Sequence, residues 1–125
     1  MRIVLFILSA LLFTSGYAQS AFTEEQKITH LLLFVANLNG SSFMRNGTEH
    51  TPKHAAEHLK MKREKAGRRI KTATAFIENI ASKSSLTGEI YHISFPNGKQ
   101  FPSGMVLSNE LKKLEEGKVT LREEK

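Results

Sequence analysis

The stretch from Phe43 to Arg69 reads FMRNGTEHTPKHAAEHLKMKREKAGRR, and the rest of the chain is arranged around it. Arg45-Asn46-Gly47 is a tight-turn signal, because Asn and Gly tolerate the left-handed backbone that such turns demand. Thr51 then supplies a helix cap, and Pro52 takes the first helical position, where its missing N–H costs nothing. At about 100° per residue, Ala55, Leu59, Ala66 and Ile70 fall on one side of that helix, and Ala73 and Ile77 continue the sector. Gly67 and Thr72 offer a stop and a fresh cap, which predicts a break or sharp kink near Arg69 to Thr72 rather than a helix of about 30 residues.

Upstream, Thr23 and Gln26 form a capping box. Glu24 and Glu25 sit in the first turn, where the helix dipole favours negative charge. Ile28, Leu31, Leu32, Val35 and Leu38 repeat at helical spacing, ending at Asn39-Gly40. Residues 40–50 read as a loop whose Phe43 and Met44 fold back onto the core. Downstream, Ala73 to Ala81 is a third helical piece and 82–88 a polar loop. Glu89 to Phe95 alternates as a half-buried strand, and Pro96-Asn97-Gly98 turns it toward a short return at 99–101. Ser103 is expected to cap a last helix with Val106 or Leu107, Leu111 and Leu114 as its stripe. The fold class is therefore α+β: a small helix-rich single domain of about four helices with one β-hairpin.

The chain has 125 residues and no cysteine. Residues 1–18 read as a signal peptide: Arg2, an 11-residue apolar run from Ile3 to Phe13, and small residues before Gln19. The run falls short of the roughly 20 apolar residues a membrane span needs. The expectation is export to the periplasm by a cleaved signal peptide and no membrane span after cleavage. Residues 19–117 form the single globular domain, and 118–125 a charged flexible tail. The formal charge is +6, and every acidic residue is Glu. Residues 53–71 alone carry eight basic side chains against Glu57 and Glu64. Charge that local points to an anionic partner, either an anionic envelope polymer or a small anion. The segment holds no Tyr or Trp for base stacking, so no nucleic acid is expected.

Two constellations could carry chemistry. His54-Ala55-Ala56-Glu57-His58 matches H-x-x-E-H, in which histidines one turn apart can share a zinc ion and Glu can act as base. On the helical wheel His54 faces solvent and His58 the border of the core, and no motif supplies a third ligand. The second constellation is the turn. An Arg beside an apolar Phe-Met pair is partly buried and wants a carboxylate, with Glu49 and Glu57 nearest. It would clamp the turn to the helix, or it would join Asn46, His58 and Lys62 (one turn beyond His58) in binding a small anion. The binding residues expected are thus Arg45, Asn46, His58 and Lys62, with no catalytic residue, metal or cofactor. The alternative is a small metal-dependent hydrolase using His54, Glu57 and His58. No nucleophile elbow, phosphate-binding Gly loop or dinucleotide fingerprint is present.

A set of residues in fixed order carries a family likeness. Phe43-x-Arg45-Asn46-Gly47 leads to Ala55-Ala56-Glu57-His58-Leu59-x-x-Lys62, then Ala66-Gly67-x-Arg69 and Lys71-Thr72-Ala73-x-x-Phe76-Ile77. Ala81-Ser82-x-Ser84-Ser85-x-Thr87-Gly88-x-x-Tyr91-x-Ile93 completes it. This pattern, over roughly Ala21 to Leu111, resembles the YfeK-like family of small exported bacterial proteins (domain of unknown function 5329). The resemblance implies an envelope protein of a Gram-negative bacterium and no assigned activity. It places no required histidine at His54 and starts a new helix at Thr72. Where relatives often carry Trp before Leu in the last helix, this chain has Val106-Leu107. The combined reading is a non-enzymatic accessory or binding protein with a basic helix face for an anionic envelope component.

Overall fold

The computed structural model describes residues 22–125, so the expected signal peptide at 1–18 lies outside the described residues. The first helix, α1, runs Glu24–Ala36 and starts on the expected capping box, with Thr23 and Gln26 each bonding the other's backbone. The second, α2, runs Pro52–Ala66 from Thr51, whose hydroxyl accepts from the His54 N–H. It stops at Gly67, passes through one tight turn (Gly67–Arg69), and the chain restarts at Thr72, whose hydroxyl accepts from the Ala75 N–H. The break is where the sequence placed it. The short helix α3 (Ala73–Phe76) then widens into a π-helical turn, Ile77–Ala81. The last helix, α4, spans Ser103–Glu115 and buries Leu107, Leu111 and Leu114. Ser103 is not its cap. The Ser103 hydroxyl donates instead to the Ala81 carbonyl, which fastens the start of α4 to the end of the π turn.

The α+β class stands, with four helices among the described residues and a sheet larger than one hairpin. The expected return strand is present as β3 (His92–Ser94) and β4 (Gln100–Pro102). The segment read as a loop is a second hairpin, β1 (Ser42–Arg45) and β2 (Thr48–His50). All four pair antiparallel in the order β2-β1-β3-β4. The turn of the new hairpin is Asn46-Gly47, with φ of 51° and 76°. Positive φ at both central residues is the backbone that matches the strands' own twist. No helix among the described residues is long and apolar enough to cross a membrane.

Register decides which side chains turn inward. Phe43 stands opposite Ile93, and both are buried in the core. Side chains two apart share a face, so Arg45 projects on the Phe43 side and Tyr91 on the Ile93 side. The rings of Phe43 and Tyr91 meet 5.6 Å apart, tilted by 59°. Behind them α1 and α2 pack through Ile28, Leu31, Ala55 and Leu59. Arg63 of α2 grips Glu25 of α1 with both terminal guanidinium nitrogens, one at 2.7 Å, and holds that carboxyl below its ordinary pKa. Glu24 accepts from the Ala73 N–H at 3.2 Å and so ties α1 to the start of α3.

Residues 118–125 have no regular secondary structure but lie back on the helices. The Arg122 N–H donates to Nδ1 of His30 at 2.9 Å, and Glu124 approaches Lys60 at 3.8 Å. His30 is buried in α1, and its Nε2 lies 3.4 Å from Oε1 of Glu110, itself buried in α4.

A cationic groove between the hairpin and the second helix

Three elements converge beside the inward face of β1. Arg45 leaves the end of β1 and Asn46 heads the turn. His58, Lys62 and Lys65 follow one another at about one-turn intervals along α2, with Arg69 just beyond its end. The loop after the π turn brings Ser84, Ser85 and Leu86 across from them. Together these residues, with Ala66, Ile70, Asn79, Ile80 and Tyr91, line a groove of about 1010 Å³. Arg45, Asn46, His58 and Lys62, the four residues singled out in the sequence, all line it. Tyr91, Lys65, Arg69, Asn79 and Ser84 also line it, and sequence reasoning missed them. A local signal existed only for Lys65 and Arg69, which extend the α2 spacing.

The four residues divide by what their side chains do. Lys62 is engaged. Its ammonium donates to the Ile80 carbonyl at 2.9 Å and the Lys83 carbonyl at 2.7 Å, and lies 3.4 Å from the Tyr91 hydroxyl. Three donors thus meet three acceptors, and one of those acceptors, the Ile80 carbonyl, belongs to the last turn of a helix, where a cation is favoured. Asn46 is engaged too. Its amide donates to the Ser84 hydroxyl at 3.3 Å, and its carbonyl accepts from the Thr87 hydroxyl at 2.9 Å. A clamp on the turn exists, but it is not the expected one: Asn46 rather than Arg45 makes it, and it reaches the 84–88 loop rather than the helix.

Arg45 and His58 are different. Their side chains take part in none of the ion pairs or side-chain hydrogen bonds among the described residues. The carboxylate partner expected for Arg45 is not there. Glu49 stands opposite Met44, one residue out of phase with Arg45, so the alternation of the strand turns it to the other face. Glu57 is exposed on the outer side of α2. Arg45 is only half-buried, so water solvates it and folding does not require a partner.

The electrostatics follow. Four cations line the groove and no carboxylate does. Burial, then the charges of Arg45 and Lys62, push the His58 pKa down, which keeps its imidazole neutral near pH 7. Burial and Arg45 likewise lower Lys62. Burial raises Tyr91, with Arg45 opposing it. His54 and Glu57 are exposed and lie outside the groove lining. Among the described residues no group of three or more His, Cys, Asp or Glu side chains is placed to hold a metal ion.

The fold and site together define a small α+β protein with one broad cationic groove pinned between a hairpin turn and a helix. The profile described as "Family of unknown function (DUF5329)" matches residues 22–115, and the chain belongs to that family. It is 36% identical over 90 residues to "Uncharacterized protein YfeK" of Salmonella typhimurium, covering 72% of this chain and 75% of that protein. No solved structure matches the chain.

Proposed function

We propose that this protein is a non-enzymatic binding protein of the bacterial envelope, exported to the periplasm, and that its groove takes an anionic ligand. The observation that carries this reading is the state of Arg45. A guanidinium aimed into a groove beside Lys62, Lys65 and Arg69, with no carboxylate in the lining, is a donor set awaiting an anion. Arg suits that role because its planar fork meets carboxylate, sulfate or phosphate oxygens two at a time. His58, neutral and without a side-chain partner, is a second group able to meet the ligand. Lys62 and Asn46 support the site by holding the opposite wall and, for Lys62, by adding positive potential.

The test is thermal unfolding with added anions. Sulfate and a heparin-derived hexasaccharide should raise the melting temperature of the wild type, and the rise should shrink as competing salt screens the groove. Arg45→Gln should lose most of the rise. If no anion moves the wild-type transition, the reading fails. The N-terminal mass of protein released by osmotic shock tests export, with Gln19 the expected first residue.

A further inference from the structure

The groove is much larger than an inorganic anion and is not uniformly polar. At about 1010 Å³ it lies at the upper end of sites that enclose whole organic molecules. Ile70 and Ile80, both buried, line it beside the cations. Across from them stands Leu86, 96% exposed. An exposed leucine is ordinary on a loose surface loop, but this loop is pinned. The Ser84 hydroxyl, itself buried, accepts from the N–H groups of Leu86 and Thr87 and from Asn46, each at 3.3 Å. Lys62 holds the Lys83 carbonyl just before it. The fold thus fixes an apolar side chain in water at the rim of a cationic groove. Tyr91 is only 2% exposed, so the groove presents no open aromatic face on which a sugar ring or base could stack.

We infer that the ligand of this groove is an anionic amphiphile: one charged head, phosphate or sulfate, on a single hydrocarbon chain. This rests on the anion-binding reading above and narrows it. Arg45, Lys65 and Arg69 hold the head. The hydrocarbon chain packs against Leu86 over the nearly closed floor of Ile70 and Ile80, and the burial of Leu86 on binding supplies the gain that its exposure forgoes in the free protein.

The experiment is isothermal titration calorimetry on protein expressed from the full chain and purified from the soluble fraction without detergent. The titrants are dodecyl phosphate below its micelle concentration, ethyl phosphate, inorganic phosphate, dodecyl maltoside and the heparin hexasaccharide. Dodecyl phosphate should bind about tenfold or more tighter than ethyl phosphate, since even a few methylenes removed from water supply that much. Leu86→Ser should erase most of that margin with the melting temperature unchanged, and Arg45→Gln should weaken both phosphates. Equal affinity for dodecyl and ethyl phosphate overturns the amphiphile and leaves the anion site standing as a site for free phosphate groups. So does tighter binding of the hexasaccharide, in favour of a polyanion. Equal binding of dodecyl maltoside, or a margin that survives Leu86→Ser, also overturns it. Failure of every anion removes the anion-binding reading as well.

Discussion

The ammonium of Lys62 lies 5.1 Å from the centre of the Tyr91 ring and 3.4 Å from its hydroxyl, while its two shorter bonds go to the carbonyls of Ile80 and Lys83. The lysine thus joins α2 to the end of the π turn and to the loop that forms the far wall of the groove. Lys62→Met keeps most of the stem and leaves both carbonyls without this donor. An orphaned acceptor at a part-buried site costs about 1–3 kcal/mol. Tyr91→Phe keeps the ring under the ammonium and loses only the longest contact, so it should cost about 0.5 kcal/mol. Urea midpoints of the two variants check this. Equal losses would mean that the hydroxyl, not the carbonyls, is the partner that matters.

Gly104 lies where α4 packs against the end of the π turn. A Cβ there would stand 2.5 Å from the Ser82 hydroxyl oxygen, which cannot swing away freely because it donates to the Ile77 carbonyl. An alanine in a helix normally stabilises by about 0.5–1 kcal/mol relative to glycine. Here overpacking of about 1–3 kcal/mol should outweigh that gain. Gly104→Ala is therefore expected to destabilise the wild type. In a Ser82→Ala background, where the nearest remaining Ser82 atom is the Cβ at 3.4 Å, it should be neutral or stabilising. A double-mutant cycle by chemical denaturation reads the coupling directly. Additive effects would show that the hydroxyl does move aside.

Local chemistry made much of this legible. Thr23, Thr51-Pro52 and Thr72 each announce a helix start, because a hydroxyl at a cap satisfies an N–H that the helix cannot. Lys62 could be grouped with His58 because four residues bring side chains back to one face. Arg45 joined them through the turn that follows it. The hairpin of β1 and β2 was not legible from its strands, Ser-Phe-Met-Arg and Thr-Glu-His, which are short and lack an alternating apolar face. Only Asn46-Gly47 carries a signal, and a tight turn alone does not distinguish a hairpin from a loop. Asn79, Ser84 and Tyr91 reach the groove through the π turn and the sheet register, and neither has a local pattern. His30 and Glu110 meet across 80 residues of chain, a pairing that exists only after the core forms.

His30 fixes the direction of acid destabilisation. Its Nδ1 accepts from the Arg122 N–H, so that nitrogen carries a lone pair, and Nε2 carries the hydrogen that faces Glu110. Adding a proton at Nδ1 would set two donors against each other. Burial lowers the folded pKa, opposed by the Glu110 contact. His50 and His58 are lowered as well, by burial first and by Arg45 next. The unfolded chain then binds more protons than the folded one, so stability is full above the ordinary histidine value of about 6.5 and falls as pH drops below it. Glu24 and Glu25, lowered by Lys27 and Arg63, extend the loss further into acid. Unfolding free energy measured from pH 8 to 5 should decline below about 6.5. His30→Gln should be less stable at neutral pH and flatten the decline. A slope unchanged in that variant would exclude His30 as its source.

Asn46 holds two properties that substitutions can separate. Its φ of 51° makes it the non-glycine residue in the left-handed region among those described, and its side chain bridges Ser84 and Thr87. Asn46→Gly keeps the backbone conformation and removes only the bridge. Asn46→Ala removes the bridge and adds left-handed strain of about 1 kcal/mol. Both should lower stability, by about 1 kcal/mol for the lost hydrogen bonds in glycine and about 2 kcal/mol in alanine. The glycine variant is the more telling for function. It leaves Arg45 at the end of an intact hairpin but frees the 84–88 loop from it, so amide hydrogen exchange at Leu86 and Thr87 should quicken while exchange in β1 stays slow. Equal quickening in β1 would mean that the bridge maintains the hairpin itself and not merely the wall of the groove.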